Sequence, residues 1–229
     1  MPITLPPEAA KQLVASIKRF MPCDSESASA AEASMTRFTI VAAFLVGMVA
    51  SADAQRAPRR EFSRVTQRGE ALADYHDGVT QVVAAYYHSQ RNHDTPWLLI
   101  EVGMSSAQPF VLRRDRVRLV SPSGRAVPLA EQIRWDADSA RARGLLQQAQ
   151  VTRHQVRTYF LGTRDAARLR FFGRPEKGQT VVDLAQSLPE EVLLGDLLFE
   201  SPTGAWERGT YALEIEHDGG TAALPIHLR

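Results

Sequence analysis

Chemistry in this chain would have to be built from six histidines, one cysteine and scattered serines and carboxylates. His88 and His154 are the candidate general bases, and Asp196 is the candidate acid to orient one of them. A serine hydrolase can be assembled from such residues, because triad partners meet in space rather than in sequence. The local signatures of that chemistry, G-x-S-x-G and S-x-x-K, do not occur. Neither do the phosphate-cradling motifs G-x-x-x-x-G-K-[ST] and G-x-G-x-x-G. Cys23 is the single cysteine, which excludes an intramolecular disulfide and any zinc site built on several thiolates.

Three groups have metal-ligand residue types. Asp74 and His76 share one face of an extended strand, with Asp77 opposite; His93-Asp94 sits in a polar turn; Asp136 and Asp138 precede a helix. None has the count or the spacing of a calcium loop. Each reads as a polar turn or a helix cap, so no metal and no cofactor is expected. Glu190-Glu191 follows Pro189 and reads as an exposed turn rather than a glycosidase pair.

The remaining candidates are contact residues. Arg114, Arg116 and Arg118 fall on one face if the segment is a strand, with Val117 and Leu119 on the other. Trp135, Arg141 and Arg143 surround the start of the one convincing helix and are expected at the surface. These six residues are the candidates for contact with an acidic partner, an envelope protein or a glycan. The chain as a whole carries 27 Lys+Arg against 26 Asp+Glu, a net charge of +1. That balance gives no global field for nucleic acid.

The elements that position these residues are mostly strands. Hydrophobic residues make up 44% and charged residues 23%, so wholly disordered, collagen-like and coiled-coil chains are excluded. Gly78–Ser89 is rich in β-branched and aromatic residues and reads as a strand. Trp97–Met104 (WLLIEVGM) is a near-continuous apolar run, as in a buried central strand. Ser121-Pro122-Ser123-Gly124 and Ser201-Pro202-Thr203-Gly204 both read as hairpin turns. Gly209–Glu216 alternates inward Tyr211, Leu213 and Ile215 with outward Ala212, Glu214 and Glu216, and Asp218-Gly219-Gly220 turns the chain into a closing strand. A helix is expected near 138–156, capped by Asp138-Ser139 and inserted among the strands. Short strands at spacings near ten residues argue a β-sandwich, with Tyr211 placed to make a tyrosine corner.

The N-terminal quarter has a different character. Met35-Thr36-Arg37, the apolar run Phe38–Ala50 and the small-residue exit Ser51-Ala52-Asp53-Ala54 form the pattern of a secretory signal peptide over 35–54. Cleavage is expected between Ala54 and Gln55. Residues 1–34 then read as an extraneous or disordered extension, 55–60 as a basic tether and 61–229 as the folded domain. Membrane contact would come only through an uncleaved signal segment.

The run from Asp77 to Ile133 resembles exported bacterial Ig-like β-sandwich domains of unknown function. The likeness rests on a strand ending in Tyr86-Tyr87, the strand Trp97–Met104, and the stretch Phe110–Leu129 with its Pro122 and Gly124 turn. The usual Asn-rich turn after the central strand is replaced by Met104-Ser105-Ser106. The resemblance implies an Ig-like antiparallel sandwich on a secreted or periplasmic protein, and it carries no catalytic residues across. The reading is a non-enzymatic exported protein that acts by binding or structural interaction; the alternative is a small periplasmic hydrolase acting on envelope substrates.

Overall fold

The computed structural model describes residues 62–161, 165–174, 177–189 and 191–229. The expected extension, signal peptide and tether lie outside the described residues. The described chain is mainly β, with twelve strands and three α-helices. In order these are β1 (Val65–Gln67), β2 (Leu72–His76), β3 (Thr80–Ala85), α1 (Tyr87–Arg91), β4 (Trp97–Ser106), β5 (Phe110–Arg113), β6 (Val117–Val120), β7 (Ala126–Pro128), α2 (Gln132–Ala137), α3 (Ser139–Ala149), β8 (Asp165–Arg168), β9 (Leu184–Ser187), β10 (Glu191–Glu200), β11 (Gly209–His217) and β12 (Gly220–Leu228). Among these residues no helix is long and apolar enough to cross a membrane.

The strands form a six-stranded sheet, β1-β2-β3-β4-β10-β8, a four-stranded sheet, β12-β11-β6-β7, and a β5-β9 pair. Every pairing is antiparallel except β8 on β10. The two larger sheets contribute side chains to one core, as in a β-sandwich. Leu98, Ile100 and Met104 of β4 share it with Leu213 and Ile215 of β11 and Leu224 and Ile226 of β12. Full burial of each such side chain contributes about 1.5–3 kcal/mol.

The larger sheet is covered on its other face too, and this explains why WLLIEVGM is apolar without alternation. Trp97, Leu99 and Leu198 pack under Trp135 of α2 and Ala142, Leu145 and Ala149 of α3. Farther along, Val83, Ala85 and Val192 pack under Val156 and Phe160, from a 3₁₀ turn at Val156–Tyr159 and the residue after it. Gly103 lets that turn come close: a Cβ there would lie 2.5 Å from Phe160 Cε2.

Several local expectations are corrected. Gly78–Ser89 is not one strand, because β3 stops at Ala85 and α1 follows. The polar side chains of α1 find buried partners there. Ser89 Oγ donates to Leu99 O at 2.8 Å and accepts from Leu99 N–H, and Gln90 donates to Glu70 O. Ser121–Gly124 does close the β6–β7 hairpin, but Ser201–Gly204 carries the chain from β10 in one sheet to β11 in the other. Turn chemistry specifies the bend and not the strand that follows it. Asp138 precedes α3 without capping it by side chain; its carboxylate accepts the Trp97 indole N–H at 2.7 Å. The helix itself ends at Ala149. Tyr211 Oη donates to Glu207 O at 3.1 Å, the bond expected of a tyrosine corner.

Candidate functional site

Two apolar strand interiors each contain one acid, Glu101 in β4 and Asp196 in β10, whose other acids, Glu191 and Glu200, are its end residues. Residue parity puts both on the outer face of the larger sheet, beneath the helical cover. Register sets them directly opposite each other. Like charges at facing positions repel, and both are largely buried, with 11% and 23% of the side chain exposed. Arg153, from the segment after α3, bridges them. Its guanidinium lies 2.6 Å from Asp196 Oδ1 and 3.5 Å from Glu101 Oε2.

Burial pushes the Glu101 carboxyl up to about 7 from its ordinary 4.5. Arg153 opposes that rise, Asp196 adds to it, and the His154 backbone N–H opposes it again. Glu101 therefore holds a proton at mildly acidic pH, where an ordinary glutamate has lost it. The His154 ring is stacked on Tyr87 at 5.3 Å, with Nε2 2.7 Å from Tyr159 Oη. Of the three residues considered for hydrolysis, Asp196 is paired with Arg153, while His154 only follows Arg153 in the chain, its ring engaged by Tyr87 and Tyr159. Among the described residues no hydrogen bond or ion pair connects His88 to either. The histidine's hydroxyl partner is Tyr159, not a serine.

Asp196 and Arg153 also line a cleft of about 470 Å³ that is lined on either side by α3 and the edge strand β8. Helical periodicity builds its wall. Ala142, Leu145 and Ala149 face the sheet, which leaves Arg143 and Leu146 lining the cleft. Arg168 comes from β8, and Arg174 from the loop after it. Trp135 and Phe172 close the apolar side, with ring centroids 6.1 Å apart. Trp135 is 3% exposed, so it is a buried wall and not the surface residue expected from the sequence. Its indole N–H donates to Gly173 O at 3.0 Å, and Gln132 donates to the same oxygen. The Arg174 N–H donates to Gln179 Oε1 at 2.9 Å. These bonds fix the loop that presents Arg174.

The other arginine candidates sit differently from expectation. Arg114 and Arg116 belong to a 3₁₀ turn, so they share no strand face with Arg118. Arg114 is mostly buried: its guanidinium lies 4.5 Å from the Phe172 ring centre, donates to the carbonyls of Ala130 and Phe171, and pairs with Asp183 at 3.0 Å. Burial lowers its pKa, against the pull of Asp183. Arg116 lies 3.7 Å from Asp218, Arg118 pairs with Glu214 and Glu216, and Arg141 pairs with Asp138. Arg143 alone of the five has no carboxylate partner among the described residues. Arg168 and Arg174, which sequence reasoning did not single out, share that condition.

No family model, curated protein or solved structure matches this chain significantly. Its site must therefore be read from its own geometry. Among the described residues, no three His, Cys, Asp or Glu side chains converge as a metal centre. Asp74 is engaged by Arg68 and Gln81, and Asp77 accepts the N–H groups of Val79 and Thr80. Sequence reasoning missed Glu101, Arg153, Arg168 and Arg174. A signal existed for Glu101: a single acid inside an uninterrupted apolar strand must be buried with a partner. The arginines had none, because chain folding alone brings them to one cleft.

Proposed function

We propose that this is an exported protein of the bacterial envelope or extracellular space that acts by binding, and that an acidic envelope component, on a protein or glycan, is its ligand. The observation that carries this reading is the convergence of Arg143, Arg168 and Arg174 on one cleft, with no carboxylate pairing them among the described residues. Arginine suits the task because its planar donors grip carboxylate and phosphate oxygens in pairs. The Ig-like character of the sandwich belongs to the same proposal. It is supported by the Tyr211–Glu207 bond and by the two packed sheets. Clefts of about 640, 570 and 510 Å³ elsewhere on the surface are as large, so no single deep pocket argues for an enzyme.

The test has two parts. Fractionation of the native host with N-terminal sequencing should find a mature chain beginning at Gln55 outside the cytoplasm; a soluble full-length cytoplasmic chain overturns export. Titration of the full chain with citrate should show salt-sensitive binding that Arg143→Gln, Arg168→Gln and Arg174→Gln together weaken at least tenfold. Unchanged affinity overturns the site. A small hydrolase is the second reading, favoured by the Glu101 carboxyl facing Asp196. It requires turnover of an envelope substrate that Glu101→Gln abolishes.

A further inference from the structure

The arginines share the cleft with walls of another chemistry. Trp135, Leu146, Leu169, Phe172 and Leu198 line the same cleft. Leu169 belongs to the sandwich core, Leu198 and Trp135 to the helix-covered one, and Leu146 and Phe172 pack on that second cluster while remaining partly exposed. A purely polar acid, such as a sugar acid, would leave these walls unsatisfied. A cleft of about 470 Å³ is within the size range of small-molecule sites, and its lining combines charged and apolar side chains.

From this we infer that the ligand is an amphiphilic acid: a carboxylate or phosphate held by Arg143, Arg168 and Arg174, joined to a hydrocarbon or aromatic body lying between Leu146 and Phe172. The inference rests on the binding function proposed above and changes its ligand, from an acid carried on a protein or glycan to a lipid or small organic acid. Asp196 contributes to the selection. It lines the cleft with its charge taken up by Arg153, so Arg153 is not free to hold an acid and Arg143, Arg168 and Arg174 remain as the anion's seat. Such an acid has two sources, a membrane lipid or a free organic acid, and the recognition chemistry is the same for both.

The full chain is titrated with octyl phosphate below its micelle concentration, with inorganic phosphate and with octyl glucoside. Octyl phosphate should bind at least about thirtyfold tighter than inorganic phosphate, the equivalent of a few buried methylenes. Octyl glucoside should bind no better than inorganic phosphate. Leu146→Gln should remove the advantage of the octyl chain and leave phosphate binding intact; Arg143→Gln with Arg174→Gln should weaken both phosphates. All three substitutions are at half-buried positions, and an unchanged circular dichroism spectrum shows that each variant is folded. Equal affinity for the two phosphates overturns the amphiphile while leaving anion binding standing. Binding of neither overturns both. Equal binding of octyl glucoside overturns the role of charge. Co-sedimentation with vesicles of anionic phospholipid identifies a membrane lipid as the source, and its absence beside tight octyl phosphate binding identifies a free acid.

Discussion

Replacing Glu101 by glutamine tests the buried carboxylate pair most directly. Glutamine keeps the shape of the side chain and can accept the His154 N–H, but it never ionises. In the folded protein the Glu101 carboxyl titrates near 7, against about 4.5 when unfolded. Because the folded value is the higher, the folded state keeps a proton that the unfolded chain releases between those two pH values. Stability therefore falls as pH rises through that window. Below pH 4.5 both states are protonated and Glu101 has no effect; above 7 its full cost is present. At 1.36 kcal/mol per pH unit, a rise from 4.5 to about 7 amounts to about 3 kcal/mol. Glu101→Gln should thus match the parent protein at pH 4 and exceed it by roughly 3 kcal/mol at pH 8, on the order of 8 °C in melting temperature for a domain of this size. Urea unfolding followed by tryptophan fluorescence at pH 4, 5.5, 7 and 8 measures this. A difference between the two proteins that is constant across pH, or a variant less stable at pH 8, refutes the reasoning. Asp196→Asn is the companion variant. It removes the facing charge and frees Arg153 for Glu101, so the carboxyl midpoint should fall.

Gly103→Ala should destabilise by about 1–3 kcal/mol, because its Cβ would lie 2.5 Å from Phe160 Cε2 and 2.8 Å from Val156 Cγ1; combining it with Phe160→Ala should reduce the cost of the glycine substitution and leave the part due to Val156, which a double-mutant cycle reads. Trp135→Ala removes a buried indole and its bond to Gly173 O, and should cost about 3–5 kcal/mol in urea unfolding. Trp135→Phe should retain most of the packing and lose chiefly the hydrogen bond. Tyr211→Phe removes the bond to Glu207 O and should lower stability by about 1 kcal/mol with no change in far-ultraviolet circular dichroism.

The hairpins were legible because their signals are local. Gly220 adopts a φ of +136° and Gly124 one of +88°, and both stand in turns named from sequence. Alternation in Gly209–Glu216 likewise predicted which side chains enter the core. Pairing across the sandwich was not legible, as Ser201–Gly204 shows. An identical turn signature joins paired strands in one place and passes between sheets in another, since the choice depends on strands distant in sequence. Trp135 was misplaced for a related reason. A tryptophan flanked by Arg134 and Asp136 reads as exposed, yet those neighbours turn outward along the helix while the indole turns toward Trp97 and Gly173. The cleft was invisible because its arginines lie on a helix, an edge strand and a loop.

The buried pair and the cleft are parts of one arrangement on the covered face of the larger sheet. Two apolar covers, one from α2 and α3 and one from the Val156–Phe160 segment, meet along the line where Glu101 faces Asp196. Arg153 lies in the chain between those covers, so a single residue both neutralises the line and ties the connecting segment to the sheet. An all-apolar face would pack with less desolvation cost, since buried ion pairs rarely stabilise more than hydrophobic replacements do. What the charged line adds is position: it fixes where the segment after α3 crosses the sheet. The end of α3, and with it the wall carrying Arg143 and Leu146, is held over β4 by the same attachment. The geometry of the cleft is thereby set by charges that need not touch the ligand.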